Sequence, residues 1–402
     1  LTTDPQEQRN VVSANPEVAA QLREELRRHE ARGISLAAAP LRENEETRAK
    51  LNALGYVGAS SSPVDSADAW NMKGRDPKDM VAQFNRLQEV STLLLDRRDA
   101  EAESVLRDIL NNDPDNVEAM GELALLRKTQ GNWEDAKKWC EEVLRRRPES
   151  SSTRMNLASA LLQLNDRRAA LAQYDEIVRR DPRHADAWAL RGSLLSEQGR
   201  HDEAIESMAR AISIEPQDAK LIAGLGRAQE DAGDSAKALA EYDRALALDP
   251  AERSAIVQKG LLLSHLGRST DAAATFRSGL ERIPDDPEIL NNLAWLLVDK
   301  SIDPAEAFEL AGRAIRQSPE DPAFLDTFGW AAVRAGKARE GIESLRKALA
   351  ATNDATVCAH LGIALAESGA TREGIDLLKR AVREEAKLAE IPEARAWLNR
   401  PL

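Results

Sequence analysis

Small and apolar residues recur along this chain every 34 residues. One column runs Val90, Ala124, Ala158, Gly192, Gly226, Gly260, Ala294, Gly329 and Gly362. A second runs Ala102, Ala136, Ala170, Ala204, Ala238, Ala272, Ala307, Gly341 and Gly374, and a third Ile109, Val143, Ile177, Ala211, Ala245, Gly279, Ala314, Ala348 and Ala381. The first two columns stand 12 or 13 residues apart, so they fall on two successive helices. Small side chains at both places let the two helix backbones approach closely. A fixed period of this length marks an array of one supersecondary unit, not a single compact core.

The breaks between helices keep the same clock. Gly131, Gly199, Gly233, Gly267, Gly336 and Gly369 stand between the first and second columns, where a left-handed helix end costs glycine little. Pro114, Pro148, Pro182, Pro216, Pro250, Pro284 and Pro319 follow each second helix, where a missing N–H helps to stop it. In Asp113-Pro114, Asp181-Pro182 and Asp249-Pro250 the residue before proline is also pushed out of helical geometry.

These columns resemble the tetratricopeptide repeat, a helix–turn–helix unit with small residues at positions 8, 20 and 27 and proline at 32. The unit that fits best is 185–218, with Trp188, Gly192, Gly199, Ala204, Ala211 and Pro216 in place. The resemblance implies an all-α fold: a right-handed superhelix of about nine repeats over residues 83–389, starting near 83, 117, 151, 185, 219, 253, 287, 322 and 355. The seventh carries one extra residue near Asp303-Pro304, the eighth is one short, and the ninth lacks its proline. Aromatic residues make up 4%, which suits a thin two-helix layer of Ala and Leu. The ends of such an array need polar caps. Residues 390–402, with Pro392, Ala394, Trp397 and Leu398, read as a capping helix whose Trp397 covers the last open face.

Residues 1–80 do not repeat. Leu1 to Asn10 fit L-x-x-D-P-x-E-x-x-N, and Val18, Leu22 and Leu26 predict a helix over 16–31 with one buried face. This block is similar to the C-terminal edge of bacterial sulfatases of the alkaline phosphatase superfamily. Residues 1–32 then read as that edge. Residues 33–82, with Leu54-Gly55-Tyr56-Val57-Gly58 and Asp76-Pro77-Lys78-Asp79-Met80, read as a tether, and the Ser-, Pro- and Asp-rich stretch after Gly58 as a flexible linker. The family's nucleophile motif C-x-P-x-R is absent: Cys140 begins Cys-Glu-Glu-Val-Leu and Cys358 begins Cys-Ala-His-Leu-Gly. No catalytic residue carries over, and the chain reads as the tail of a larger enzyme. The resemblance implies that the parent is exported or faces the periplasm.

The net charge of −13 argues against a nucleic-acid groove, and the basic runs Arg145-Arg146-Arg147 and Arg179-Arg180 fall at the ends of second helices, where cations complement the helix dipole. No run of 18 apolar residues suggests a membrane span. Cys140 stands where Tyr174, Tyr242 and Phe276 stand in sister units, so it reads as a packing residue, and both cysteines read as buried free thiols. The histidines His29, His184, His201, His265 and His360 fall in unrelated units without metal-ligand spacing. The expectation is therefore a monomer without catalytic, cofactor or metal site.

What remains is the groove. In the family, first helices line the inner face through positions 2, 5, 6, 9, 12 and 13. The Lys and Asn of the carboxylate-clamping groove are missing from position 5, which reads Leu87, Gly121, Met155, Ala189, Ala223, Val257, Asn291, Asp326 and Ala359. Position 9 carries Arg227, then Leu261, Trp295, Trp330 and Ile363 as an apolar row, and Asn156 and Asn292 at position 6 suit the main chain of an extended peptide. Large aromatics are common interface anchors. The two tryptophans equally suit packing between first helices, and truncating Trp330 separates the alternatives. Two functions follow: a non-catalytic scaffold for a protein or peptide partner, or the C-terminal part of a sulfatase fusion whose catalytic domain lies upstream of Leu1.

Overall fold

A computed structural model describes residues 77–400. The expectations on residues 1–76, namely the sulfatase-like edge, its helix over 16–31 and most of the tether, lie outside the described residues. Among these there are nineteen α-helices, one 3-10 helix and no strand.

The chain divides into two units at Asp166 and Arg167. The first holds α1 (Pro77–Leu95), α2 (Asp99–Asn112), α3 (Val117–Thr129), α4 (Trp133–Arg146) and α5 (Ser151–Gln163). The second opens with α6 (Arg167–Arg180) and continues through α7 (Ala185–Glu197), α8 (His201–Ile214), α9 (Ala219–Asp231), α10 (Ser235–Leu248), α11 (Arg253–His265) and α12 (Ser269–Arg282). Then come α13 (Pro287–Asp299), α14 (Pro304–Gln317), α15 (Pro322–Arg334), α16 (Ala338–Thr352), α17 (Ala355–Glu367) and α18 (Thr371–Glu384), a 3-10 turn (Ala386–Glu390) and α19 (Pro392–Leu398). The first described helix starts at Pro77, ahead of the array start expected near 83, and takes in part of the block read as tether. Proline suits that place because the first helical N–H has no intrahelical partner.

Each break has a local cause. All six turn glycines have positive φ, and Arg97, Asn165 and Ser301 adopt the same left-handed geometry in hairpins without glycine. The turn conformation is thus a demand of the hairpin that glycine merely eases. The expected prolines each stand two residues beyond the end of a second helix. First helices start on side-chain caps: Asn116, Ser150, Asp218, Glu252, Asp286, Asp321 and Asp354 each accept a hydrogen bond from a backbone N–H of the first turn. Where the eighth repeat lacks proline, α16 ends on Asn353 with φ 57°.

The small columns do what their spacing implies. Gly226 faces the ring of Tyr242, and Gly260 the ring of Phe276, both sixteen residues later on the second helix. A Cβ on Gly260 would stand 2.3 Å from that ring. Tyr242 and Phe276 are almost wholly buried, so each hairpin is closed by a large side chain seated on a bare backbone. In the second unit the first helices also pack on one another in order, from α7 to α17. There the core becomes continuous: Ile256, Leu293, Trp330, Ile363, Leu378 and Ala394 belong to one buried cluster. Trp397 packs against it, with the Arg400 guanidinium 3.8 Å from the indole centroid.

Candidate interaction surface

The first-helix face of the second unit begins as a polar network. Ser196 Oγ on α7 donates to Asp231 Oδ2 on α9 at 2.7 Å. Arg227 Nε donates to Asp231 Oδ1 at 3.0 Å, and Arg227 Nη1 to Gln258 Oε1 on α11 at 3.1 Å. Three successive first helices are tied by this chain, and Arg227 remains exposed. Behind it, Tyr242 Oη donates to Glu230 Oε2 at 2.7 Å. Burial, with the Glu230 carboxylate beside it, pushes the Tyr242 phenol up and keeps it a donor.

Toward the C-terminus the face turns aromatic. His360 on α17 stacks on Trp330 of α15, with centroids 4.6 Å apart and planes 17° from parallel. Its other neighbour is Trp295 on α13, at 5.5 Å and 50°. His360 Nδ1 and Asp326 Oδ1 are 2.9 Å apart, and both residues are buried. Arg334 holds its guanidinium 5.4 Å from the Trp330 centroid and pairs with Glu393 of α19 at 3.3 Å.

The apolar row expected at Leu261, Trp295, Trp330 and Ile363 is divided by the structure. Leu261 and Trp295 are half-buried and pack against the core with one side. Trp330 is 7% exposed, in keeping with the packing alternative for it, and Ile363 is wholly buried, away from its expected place on the groove surface. Trp330 is stacked under His360, and Ile363 shares the core cluster with Leu388 and Ala394 of the C-terminal segment, where α19 packs on α17 and α18. Asn292 is half-buried on α13, one turn from Trp295. Asn156, also half-buried, belongs to the first unit, where Lys128 Nζ donates to its Oδ1 at 3.1 Å.

His360 had no role in the sequence reading beyond standing apart from the other histidines; in the structure it pairs with Asp326 and lies between two tryptophans. The 34-residue interval from Asp326 to His360 was the available signal, because residues one repeat apart occupy neighbouring helices.

The remaining chemistry is quiet. Cys140 and Cys358 are buried free thiols, and burial holds both up, Cys140 to about 11. Among the described residues no cluster of His, Cys, Asp and Glu forms a metal site, and no described helix is long and apolar enough to cross a membrane. The basic runs are paired: Arg146 bonds Asp115 and Glu142, Arg147 bonds Glu118, and Arg179 and Arg180 share Glu176.

Two family models described as tetratricopeptide repeat match the chain, one over residues 155–219 and 257–322, the other over 93–151 and 195–261. Together they cover more than half of its length. The matches begin at residue 93, so the sulfatase resemblance of residues 1–80 rests on its short motifs alone. A TPR repeat-containing protein of Pseudomonas aeruginosa is 41% identical over 86 residues, which are 21% of this chain and 15% of that protein. The chain therefore spans a small part of that relative's length. Among solved structures, the Cut9–Hcn1 hetero-tetramer of the APC/C matches with a TM-score of 0.50 at 17% identity, over 88% of this chain and 69% of that one. The C-terminal part of a TPR repeat-containing protein from Cytophaga hutchinsonii matches with a TM-score of 0.45 at 16% identity, over 60% of this chain and 98% of that one. These likenesses concern fold only. With repeat models over most of the helical array, small residues seated under large ones in hairpin after hairpin, and a left-handed turn in each, the chain is a tetratricopeptide-repeat protein with an all-α superhelical fold.

Proposed function

We propose that this chain is a non-catalytic scaffold that takes an extended peptide segment of a protein partner along the first-helix face of residues 167–402. The repeat fold supports a protein-interaction scaffold in general. The peptide reading is carried by one observation: Trp295 is partly exposed on that face, whereas the next members of its row, Trp330 and Ile363, are buried. An indole fixed by packing on one side and open on the other is the usual form of an interface anchor. Arg227 and Leu261 flank it on preceding first helices, and Asn292 offers both donor and acceptor to a peptide main chain. Asn156 contributes a separate amide in the first unit.

The test is an immobilised array of 15-residue peptides of varied sequence, probed with the whole chain. The reading expects a set of peptides whose retention is lost in Trp295→Ala and weakened in Arg227→Ala, with both variants still folded at the assay temperature. Retention indifferent to both substitutions would remove the first-helix face as the binding surface.

A further inference from the structure

The aromatic cluster has one closed end and one open end. At the closed end Trp330 is buried, and Arg334 beside it pairs with Glu367 at 3.9 Å and Glu393 at 3.3 Å, which ties it to α17 and α19. At the open end stands Trp295, partly exposed on α13. His360 lies between the two indoles and is held twice over. Stacking on Trp330 at 17° sets the plane of its ring, and the 2.9 Å bond to Asp326 sets the rotation within that plane. Trp295 rests against the ring so fixed, at 5.5 Å and 50°. Of the three rings, only the indole of Trp295 reaches the surface.

We infer that His360, oriented by Asp326, is a positioning residue for Trp295: it fixes the tilt of the indole, so that a partner meets an anchor already in its binding geometry. The inference rests on the reading of Trp295 as anchor. An imidazole suits this task better than an aliphatic side chain. It is flat enough to enter between two indoles and polar enough at its edge to be locked against rotation by a buried carboxylate. A leucine there would fill space without defining an angle. Holding one large side chain in place beforehand saves the cost of ordering it on binding, which corresponds to about 2- to 12-fold in affinity. Asp326 serves the same end from one step further away. It does not touch Trp295, and its effect passes through the imidazole.

The chain has seven tryptophans, so 5-fluorotryptophan labelling yields a fluorine spectrum in which Trp295 is assigned from Trp295→Phe. The native protein should show one narrow Trp295 resonance. Asp326→Ala should broaden or split it and weaken a Trp295-dependent array peptide about 2- to 12-fold. Asp326→Asn, which keeps an acceptor for the imidazole, should restore a single line. His360→Phe keeps a flat ring in the stack without the lock, and should also split the resonance if Asp326→Ala does not fold. A Trp295 resonance that stays single and unshifted in Asp326→Ala and His360→Phe, with only the melting temperature lowered, would overturn the positioning role. Peptide retention that ignores Trp295 would instead sink the anchor reading beneath it, and the two failures are told apart by which readout stays still.

Discussion

Asp326 Oδ1 and His360 Nδ1 lie 2.9 Å apart in space and 34 residues apart in sequence, so that one repeat interval places a carboxylate against an imidazole inside the protein. Removing one partner of a buried polar pair leaves the other unsatisfied, which costs about 1–3 kcal/mol. Asp326→Ala should therefore lower stability by about that amount, and Asp326→Asn by clearly less. Chemical denaturation followed by circular dichroism checks both. Equal losses would show that an amide oxygen of the same volume does not replace the carboxylate, against a role as simple hydrogen-bond acceptor.

The two tryptophans at equivalent repeat positions should respond in opposite ways. Trp330 is 7% exposed, and truncating so large a buried side chain costs about 3–5 kcal/mol. Trp330→Ala should show as a much earlier melting transition. Trp295→Ala removes a half-buried ring, so its stability loss should be the smaller of the two while peptide retention disappears. Melting curves of the two variants, measured side by side, decide the ranking.

Gly260 tests the close approach of paired helices. A Cβ there would stand 2.3 Å from the ring of Phe276, which is 1% exposed and has no room to swing aside. Overpacking of this kind costs about 1–3 kcal/mol. Gly260→Ala should destabilise by that order, and adding Phe276→Leu should recover part of the loss, because neighbouring substitutions are not additive. A double variant weaker than the sum of the two single losses would count against this account of the hairpin.

Cys140 supplies a pH dependence. Burial raises its thiol from the ordinary 9.0 to about 11. Between these values the unfolded chain has released the proton and the folded chain retains it, so stability falls as pH rises through that window. Below the window the contribution is fully present. The loss specific to this residue should reach at most about 2–3 kcal/mol, read as the difference in pH slope between the native chain and Cys140→Ala. At pH 8.5 the folded chain should also resist iodoacetamide at Cys140 until denaturant is added. Rapid alkylation of the folded chain would contradict the burial.

Much of this architecture was legible because its causes are local or strictly periodic. Prolines beyond second helices, glycines in left-handed turns and small residues beneath Tyr242 and Phe276 can each be read from a few residues at known intervals. Other parts were less visible. Arg97, Asn165 and Ser301 take the same turn conformation without the residue that advertises it. The first described helix begins at Pro77, inside a block whose resemblance suggested a tether. The role of His360 was not visible because its partners Asp326, Trp330 and Trp295 come from other repeats, and a contact made across the array leaves no mark on neighbouring residues of the chain.

By itself, the sequence determined the repeating hairpin, its turns and its small-residue columns, since each follows from backbone sterics and side-chain volume within one period. It also marked a row of residues, Arg227, Leu261, Trp295, Trp330 and Ile363, at one position of successive repeats. Only the tertiary structure decided which of them reach the surface. Trp295 and Trp330 are the same residue at the same repeat position, and nothing local separates them. The distinction comes from what packs over each: His360 stacks on Trp330 and Arg334 holds its guanidinium beside the same ring, Ile363 lies in the core cluster with Leu388 and Ala394, and Trp295 keeps an open side. Burial is set by neighbours in space, and in a repeat array those neighbours are one or more periods away.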